Sequence, residues 1–130
     1  MIVRISSSLL DAILAHAASV PDREVCGLLF GADDAILAFE ATANVHADPA
    51  RHFEIDPAAL IAAHRAQRAG GRVMVGHYHS HPSGSALPSD EDVRSGEPGR
   101  LGMIIARGEA RLYRSVVGQW HPITLASGHF

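Results

Sequence analysis

The strongest constraint in this 130-residue chain lies between Val73 and Asp92. Val73-Met74-Val75 is an apolar, strand-forming run, and it leads into Gly76-His77-Tyr78-His79-Ser80-His81-Pro82. Imidazoles therefore alternate along the end of a strand. Side chains two apart on an extended chain point the same way, with Cα atoms roughly 6.6 Å apart. Two imidazoles at that spacing, His79 and His81, can lean onto one ion at about 2.0–2.1 Å. Pro82 has no N–H for the ladder and ends the strand. Residues 83–88 turn the chain, and Ser89 then opens a short helix. Asp92 lies three positions on, one turn in, on the same side as Ser89. Asp92 is a candidate oxygen ligand, and Asp90 is its rival. Two imidazoles and a carboxylate leave a fourth position open, which is the pattern of a catalytic zinc rather than a structural one.

Each part of this stretch also has a plainer reading. A histidine-rich run is often a solvated loop. Ser89-Asp90-Glu91-Asp92 is a good capping box with acidic residues in the first turn, whatever the function. The cap does not compete with metal binding, because capping by Ser89 also fixes where Asp92 points. His77 shares the alternation and reads as a supporting or packing histidine, with a ligand role as the alternative.

Composition narrows the function classes. A hydrophobic content of 47% with 19% charged residues is ordinary for a globular domain, and residues 1–130 are read as one. The formal net charge of -3, without a Lys/Arg cluster, gives no reason to expect nucleic acid. Nine histidines against two tyrosines and four phenylalanines point to a site. The single cysteine, Cys26, excludes an internal disulfide and a cysteine-type zinc centre. It also excludes a zinc deaminase, which needs a Pro-Cys-x-x-Cys pair. No signal-peptide core and no run near the ~20 apolar residues of a membrane span is present. The expected location is the cytoplasm.

The rest of the chain supplies a scaffold. Residues 2–5 alternate as a first strand. Ser6, Ser7 and Ser8 are cap candidates for a helix whose apolar face is Leu9, Leu10, Ile13, Leu14 and Ala17, ending before Pro21. His16 is read as a surface residue of that helix. Glu24 opens a strand over 25–30, Asp33-Asp34 turns, and 35–43 pairs back. Residues 44–52 form a polar loop containing His46 and His52. Asp56 and Pro57 start a second helix that ends at Gly70-Gly71. Residues 101–106 read as a central strand, 110–117 as a half-buried strand, and 120–125 as the last strand. The fold class is α/β: a mixed, mainly antiparallel sheet with two main helices and a short third helix after the metal motif.

His79-Ser80-His81-Pro82, Ser89 and Asp92 together match His-x-His, seven residues, Ser, two residues, Asp. This resembles the signature of the JAMM (MPN-plus) zinc metallopeptidases. Glu24-Val25-Cys26-Gly27-Leu28-Leu29-Phe30-Gly31 is similar to the upstream glutamate segment of the small bacterial members. Phe53-Glu54-Ile55-Asp56-Pro57 is similar to the segment before their second helix. The resemblance spans nearly the whole chain. It implies zinc held by His79, His81 and Asp92, with Asp92 favoured over Asp90. It implies Glu24 as general base and acid, and Ser89 as a donor to the developing oxyanion. It also implies hydrolysis of amide or isopeptide bonds at the C-terminal tail of a ubiquitin-like or sulfur-carrier protein. The alternative is a non-catalytic MPN-type scaffold, against which the complete set of five residues argues. Cys26 has no base assigned to it and reads as a small buried strand residue.

Overall fold

A computed structural model describes every residue except Ser83 and Phe130. Seven strands and three helices follow in chain order: β1 (Ile2–Ser6), α1 (Ser7–Ser19), β2 (Cys26–Ala32), β3 (Ala35–Thr42), α2 (Pro57–Arg68), β4 (Met74–Ser80), α3 (Asp90–Ser95), β5 (Leu101–Ala106), β6 (Glu109–Val116) and β7 (Gln119–Gly128). The helices stop where the sequence indicates. Ser6 caps α1 by accepting from the Leu9 N–H, and Asp56 caps α2 with Pro57 at its start. Of the three serines, Ser6 is the cap, and Ser7 and Ser8 already lie inside the helix. No helix among the described residues is long and apolar enough to cross a membrane.

The sheet is mixed as expected, with four antiparallel seams (β2–β3, β2–β4, β5–β6, β6–β7) and three parallel ones (β1–β3, β1–β7, β4–β5). It differs from an open sheet in closing into a barrel, in the order β1-β3-β2-β4-β5-β6-β7. Closure rests on a long-range pairing of β1 with β7, from Ile2↔Thr124 to Ser6↔Gly128, and on a narrow seam of Arg4↔Ala35 and Ile5↔Ile36. Neither pairing has a local sequence signature. The same pairing carries β7 to Gly128, beyond the expected 120–125.

The core is layered on both faces of the central strands. One cluster joins Val3, Ile5, Leu29, Tyr78, Leu101, Met103 and Ile105 to the apolar face of α1. A second joins Cys26, Leu28, Phe30 and Met74 to Ala63 and Leu60 of α2. A third sets Ile104, Ala106 and Tyr113 against Ala86 and Trp120. β2 and β5 are thus covered on two sides, which is why both read as unbroken apolar runs. β6 is not simply half-buried: Leu112 and Tyr113 point to opposite faces and both are covered. The Tyr113 hydroxyl donates to the Ala86 carbonyl, tying the chain beyond Pro82 to the barrel. Ser83, the first residue of the expected turn, lies outside the described residues.

Candidate functional site

β4 carries the site to the end of the barrel. Cys26 pairs with His79 on one side and Ile104 with His79 on the other, so the strand is held at both edges up to its last turn. The His81 N–H still reaches the Ile105 carbonyl at 2.8 Å, which keeps the strand direction past Ser80. His79 and His81 therefore project on one side, and Tyr78 on the other, as the period of two requires.

The short helix α3 brings the carboxylate. Ser89 and Asp92 form a full capping box: the Asp92 N–H donates to Ser89 Oγ at 3.0 Å, and the Ser89 N–H donates to Asp92 Oδ2 at 2.8 Å. The box locks the Asp92 rotamer. Asp92 Oδ1 then lies 3.2 Å from His79 Nε2, Asp92 Oδ2 lies 3.3 Å from His81 Nε2, and the two Nε2 atoms are 3.0 Å apart. Asp90, by contrast, is exposed at the start of α3. Donors placed tetrahedrally around an ion at about 2.0–2.1 Å stand roughly 3.3–3.4 Å from one another. The observed separations of 3.0–3.3 Å, with the two imidazoles facing different oxygens of Asp92, lie close to that spacing, so the donor set fits a zinc ion.

The ring chemistry agrees with the fit. His81 Nδ1 lies 2.9 Å from the Ser85 carbonyl, and a carbonyl can only accept. The proton therefore sits on Nδ1 and leaves a lone pair on Nε2, the arrangement of a metal-ligating histidine. His79 is fully buried, with Phe53 stacked on its ring at 4.2 Å and 18°. Its pKa is lowered by burial, against the pull of Asp92. Burial alone would lower His81 as well, but bonds to Asp92 and Ser85 outweigh it and raise that pKa. For Asp92 burial is likewise overcome: the two imidazoles and the Ser89 N–H hold its carboxyl below the usual range.

Glu24 lies just before β2 rather than inside it, and it is only 7% exposed. Its carboxylate and the ring nitrogens of His79 and His81 lie within 4.8 Å of one another. Glu24 is therefore also within reach of an ion held by the two histidines. Asp92 stands in direct contact with both histidines at 3.2 and 3.3 Å, which makes it the better-placed oxygen. Burial pushes the Glu24 pKa up to about 7. The Asp92 and Glu91 charges add to that rise, while His81 and His52 oppose it.

The backbone of Glu24 is fixed by a residue that the motif does not contain. Its N–H donates to the Pro49 carbonyl at 2.8 Å, and its carbonyl accepts from Asn44 Nδ2 at 2.9 Å. The same Asn44 amide donates to the His52 carbonyl at 2.9 Å and accepts from the His46 and Glu54 N–H groups at 3.1 Å each. Asn44 thus uses all its hydrogen-bonding capacity to hold Glu24 against the 44–54 segment. An asparagine at the end of a strand before a polar loop is the only local cue to this role. Phe53, stacked on His79, shows no local cue beyond its aromatic ring.

Glu24, His81, Ser89 and Asp92 line a cleft of about 480 Å³, together with His46, His52 and Glu91. His77 does not join the His79–His81–Asp92 group. It packs edge-on to Phe53 in a neighbouring apolar cavity with Trp120, and burial lowers its pKa to about 4. It is a packing histidine, as one of the two sequence readings held. Cys26 is buried, and its Sγ faces Thr42 Oγ1 at 3.5 Å.

A strand that presents two imidazoles, a capped helix that returns a carboxylate and a buried acid beside them define the JAB class of domain. Residues 6–121 match the family described as prokaryotic homologs of the JAB domain, and the chain belongs to that family. This bears out the expected JAMM (MPN-plus) membership of the small bacterial type. The chain is 39% identical over 101 residues to a desampylase of Haloferax volcanii, covering 72% of this chain and 73% of that relative. It is 32% identical over 94 residues to a Thermus thermophilus protein named as a TtuB-protein conjugate cleaving protease, covering 72% of this chain and 63% of that one. The solution structure of a Desulfitobacterium hafniense protein superposes with a TM-score of 0.85 at 27% identity, covering 99% of this chain and 94% of the other. The reading as an enzyme agrees with the names of the Haloferax volcanii and Thermus thermophilus relatives.

Proposed function

We propose that the chain is a zinc-dependent hydrolase of amide or isopeptide bonds, acting at the C-terminal tail of a ubiquitin-like or sulfur-carrier protein. The observation that carries the reading is the spacing of His79 Nε2, His81 Nε2 and the Asp92 carboxylate, 3.0–3.3 Å apart, beside a buried Glu24. Two of its relatives bear the names of conjugate-cutting enzymes, which supports the substrate class.

His79, His81 and Asp92 would hold the ion. Zinc held there would supply a water of lowered pKa, about 7, and a Lewis acid for the scissile carbonyl. Glu24, whose burial favours the protonated form, would take a proton from the attacking water and later return it to the leaving amine. Ser89 Oγ accepts from the Asp92 N–H, so its own hydrogen is left to donate to the substrate carbonyl oxygen. Loss of one such donor costs on the order of 10²–10³ in rate. The Asn44 and Pro49 bonds keep the Glu24 backbone from moving as its side chain changes charge.

The test is elemental analysis of the purified protein, followed by incubation with ubiquitin-like carriers extended beyond their Gly-Gly end. At least one zinc per chain and release of the extension are expected. Stoichiometric zinc with no amide cleaved from any such carrier would replace this reading with that of a scaffold.

A further inference from the structure

The cleft also holds a second group of ligand-type side chains that the mechanism does not use. His46, His52 and Glu91 each present a ring nitrogen or carboxylate oxygen, and these atoms lie within 4.8 Å of one another. They come from two segments. The histidines lie on the 44–54 loop, and Glu91 lies on α3, next to Asp92. We propose that His46, His52 and Glu91 form a second divalent-cation site at the rim of the cleft, suited to zinc and weaker than the first.

The loop is built to hold the two rings together. The His52 N–H and the Arg51 N–H both donate to the Asp48 carbonyl, at 3.0 and 3.3 Å, which reverses the chain between the histidines. The rings come to rest 4.9 Å apart, tilted by 35°. The Asn44 side chain accepts from the His46 N–H and donates to the His52 carbonyl, so one residue anchors both backbones. His52 Nδ1 already touches Glu91 Oε2 across the gap between loop and helix. Two imidazoles and a carboxylate are a donor set that zinc accepts, with water in any remaining position.

One contact must give way. The Asp48 N–H donates to His46 Nδ1 at 2.9 Å, which places the ring proton on Nε2. Coordination through Nδ1 exchanges this exposed bond for a metal bond, and coordination through Nε2 moves the ring proton to Nδ1; in either case the imidazole stays neutral and the Asp48 amide turns to water. This cost, and the half-exposed positions of all three ligands, make the site weaker than His79–His81–Asp92. Occupancy would fasten the 44–54 loop to α3 across the cleft.

The proposal does not depend on hydrolysis, and it is tested by zinc binding. The protein already carrying one equivalent of zinc is titrated with zinc against a chromogenic chelator, and amide hydrogen exchange is followed across residues 44–54. A second equivalent is expected, with exchange slowed in that loop. His52→Ala and Glu91→Gln are each expected to weaken the second equivalent at least tenfold and leave the first unchanged. Glu91→Gln is on the solvent side of a short helix and keeps the test valid if His52→Ala does not fold. A protein that takes up one equivalent only overturns the proposal, and so does a second equivalent that survives both substitutions. In either case the group is an ion pair, His52–Glu91, with His46 packed on it.

Discussion

The two faces of β4 differ by one residue of register and by nearly everything else. On one face Tyr78 is fully buried against α1 and Phe39, and shares a 2.7 Å hydrogen bond with His16 Nδ1. On the other, His79 and His81 meet Asp92 at the edge of a cleft. The first face is apolar, with one satisfied polar contact. The second packs three ionisable groups so tightly that each shifts the others. A strand can do both because its side chains alternate, and because β2 and β5 grip it from both edges. The comparison teaches that changes on the cleft face should act on chemistry, and changes on the α1 face on stability.

Glu24→Gln gives the largest expected effect on the cleft side. It keeps the shape of the side chain but removes the proton carrier. Turnover is expected to fall by about 10²–10⁴-fold, the usual span for a positioned acid–base group. Zinc content and thermal midpoint should not fall. Full activity in the variant, measured by cleavage of a carrier extended past Gly-Gly, would take Glu24 out of the mechanism.

Gly27→Ala is the matching blow to the α1 face. Gly27 pairs with Tyr78 across the β2–β4 seam, and a Cβ there would come within 2.4 Å of both the Tyr78 ring and the Glu40 carbonyl. The backbone oxygen cannot step aside. A loss of about 3 kcal/mol in unfolding free energy is expected, at the upper end for overpacking. Denaturant unfolding would read it, and zinc uptake by the folded fraction should persist. If zinc uptake is lost while stability holds, the two faces are not separable.

How legible all this was in the sequence depends on the distance between partners. The site depends on local spacings, and these are legible: one residue between His79 and His81, two between Ser89 and Asp92. The cap at Ser89 and the start of α2 at Asp56 are local too, and both stand as read. What depends on remote partners was hidden. Barrel closure needs Ile2 beside Thr124. His16 was read as a surface residue because its partner, Tyr78, lies 62 positions away. The same holds for Asn44, whose bonds to Glu24, His46, His52 and Glu54 appear only when the loop is folded.

A third test sharpens the contrast through pH. In the folded protein the Glu24 pKa is raised from 4.5 to about 7, chiefly by burial. Between those values the folded state binds more protons than the unfolded one, so stability must fall as pH rises. The contribution is fully present below about pH 4.5 and lost by about pH 7. The change is at most about 3 kcal/mol, from 1.36 kcal/mol per unit. In metal-free protein, Glu24→Gln is expected to remove this slope and to be the more stable form at neutral pH. The difference between the two stability–pH curves isolates Glu24 from the histidines and Asp92, which titrate in both. Curves that run parallel across this window would show that burial does not strain the acid.

The smallest effect should come from Tyr78→Phe. The hydroxyl of Tyr78 is the only polar atom that its side chain brings into the α1 cluster, and it ends on His16 Nδ1. Burial lowers the His16 pKa, so the ring is held neutral and one nitrogen needs a partner. Removing the hydroxyl leaves that nitrogen to water at the half-buried edge of α1. The expected cost is about 1 kcal/mol, the net worth of one hydrogen bond. The ring, its packing on Phe39 and the clearance over Gly27 are untouched. Zinc binding and turnover should match the parent protein, because no atom of the pair reaches the cleft. A variant that unfolds as the parent does but turns over slowly would show that the α1 face reports to the site through β4.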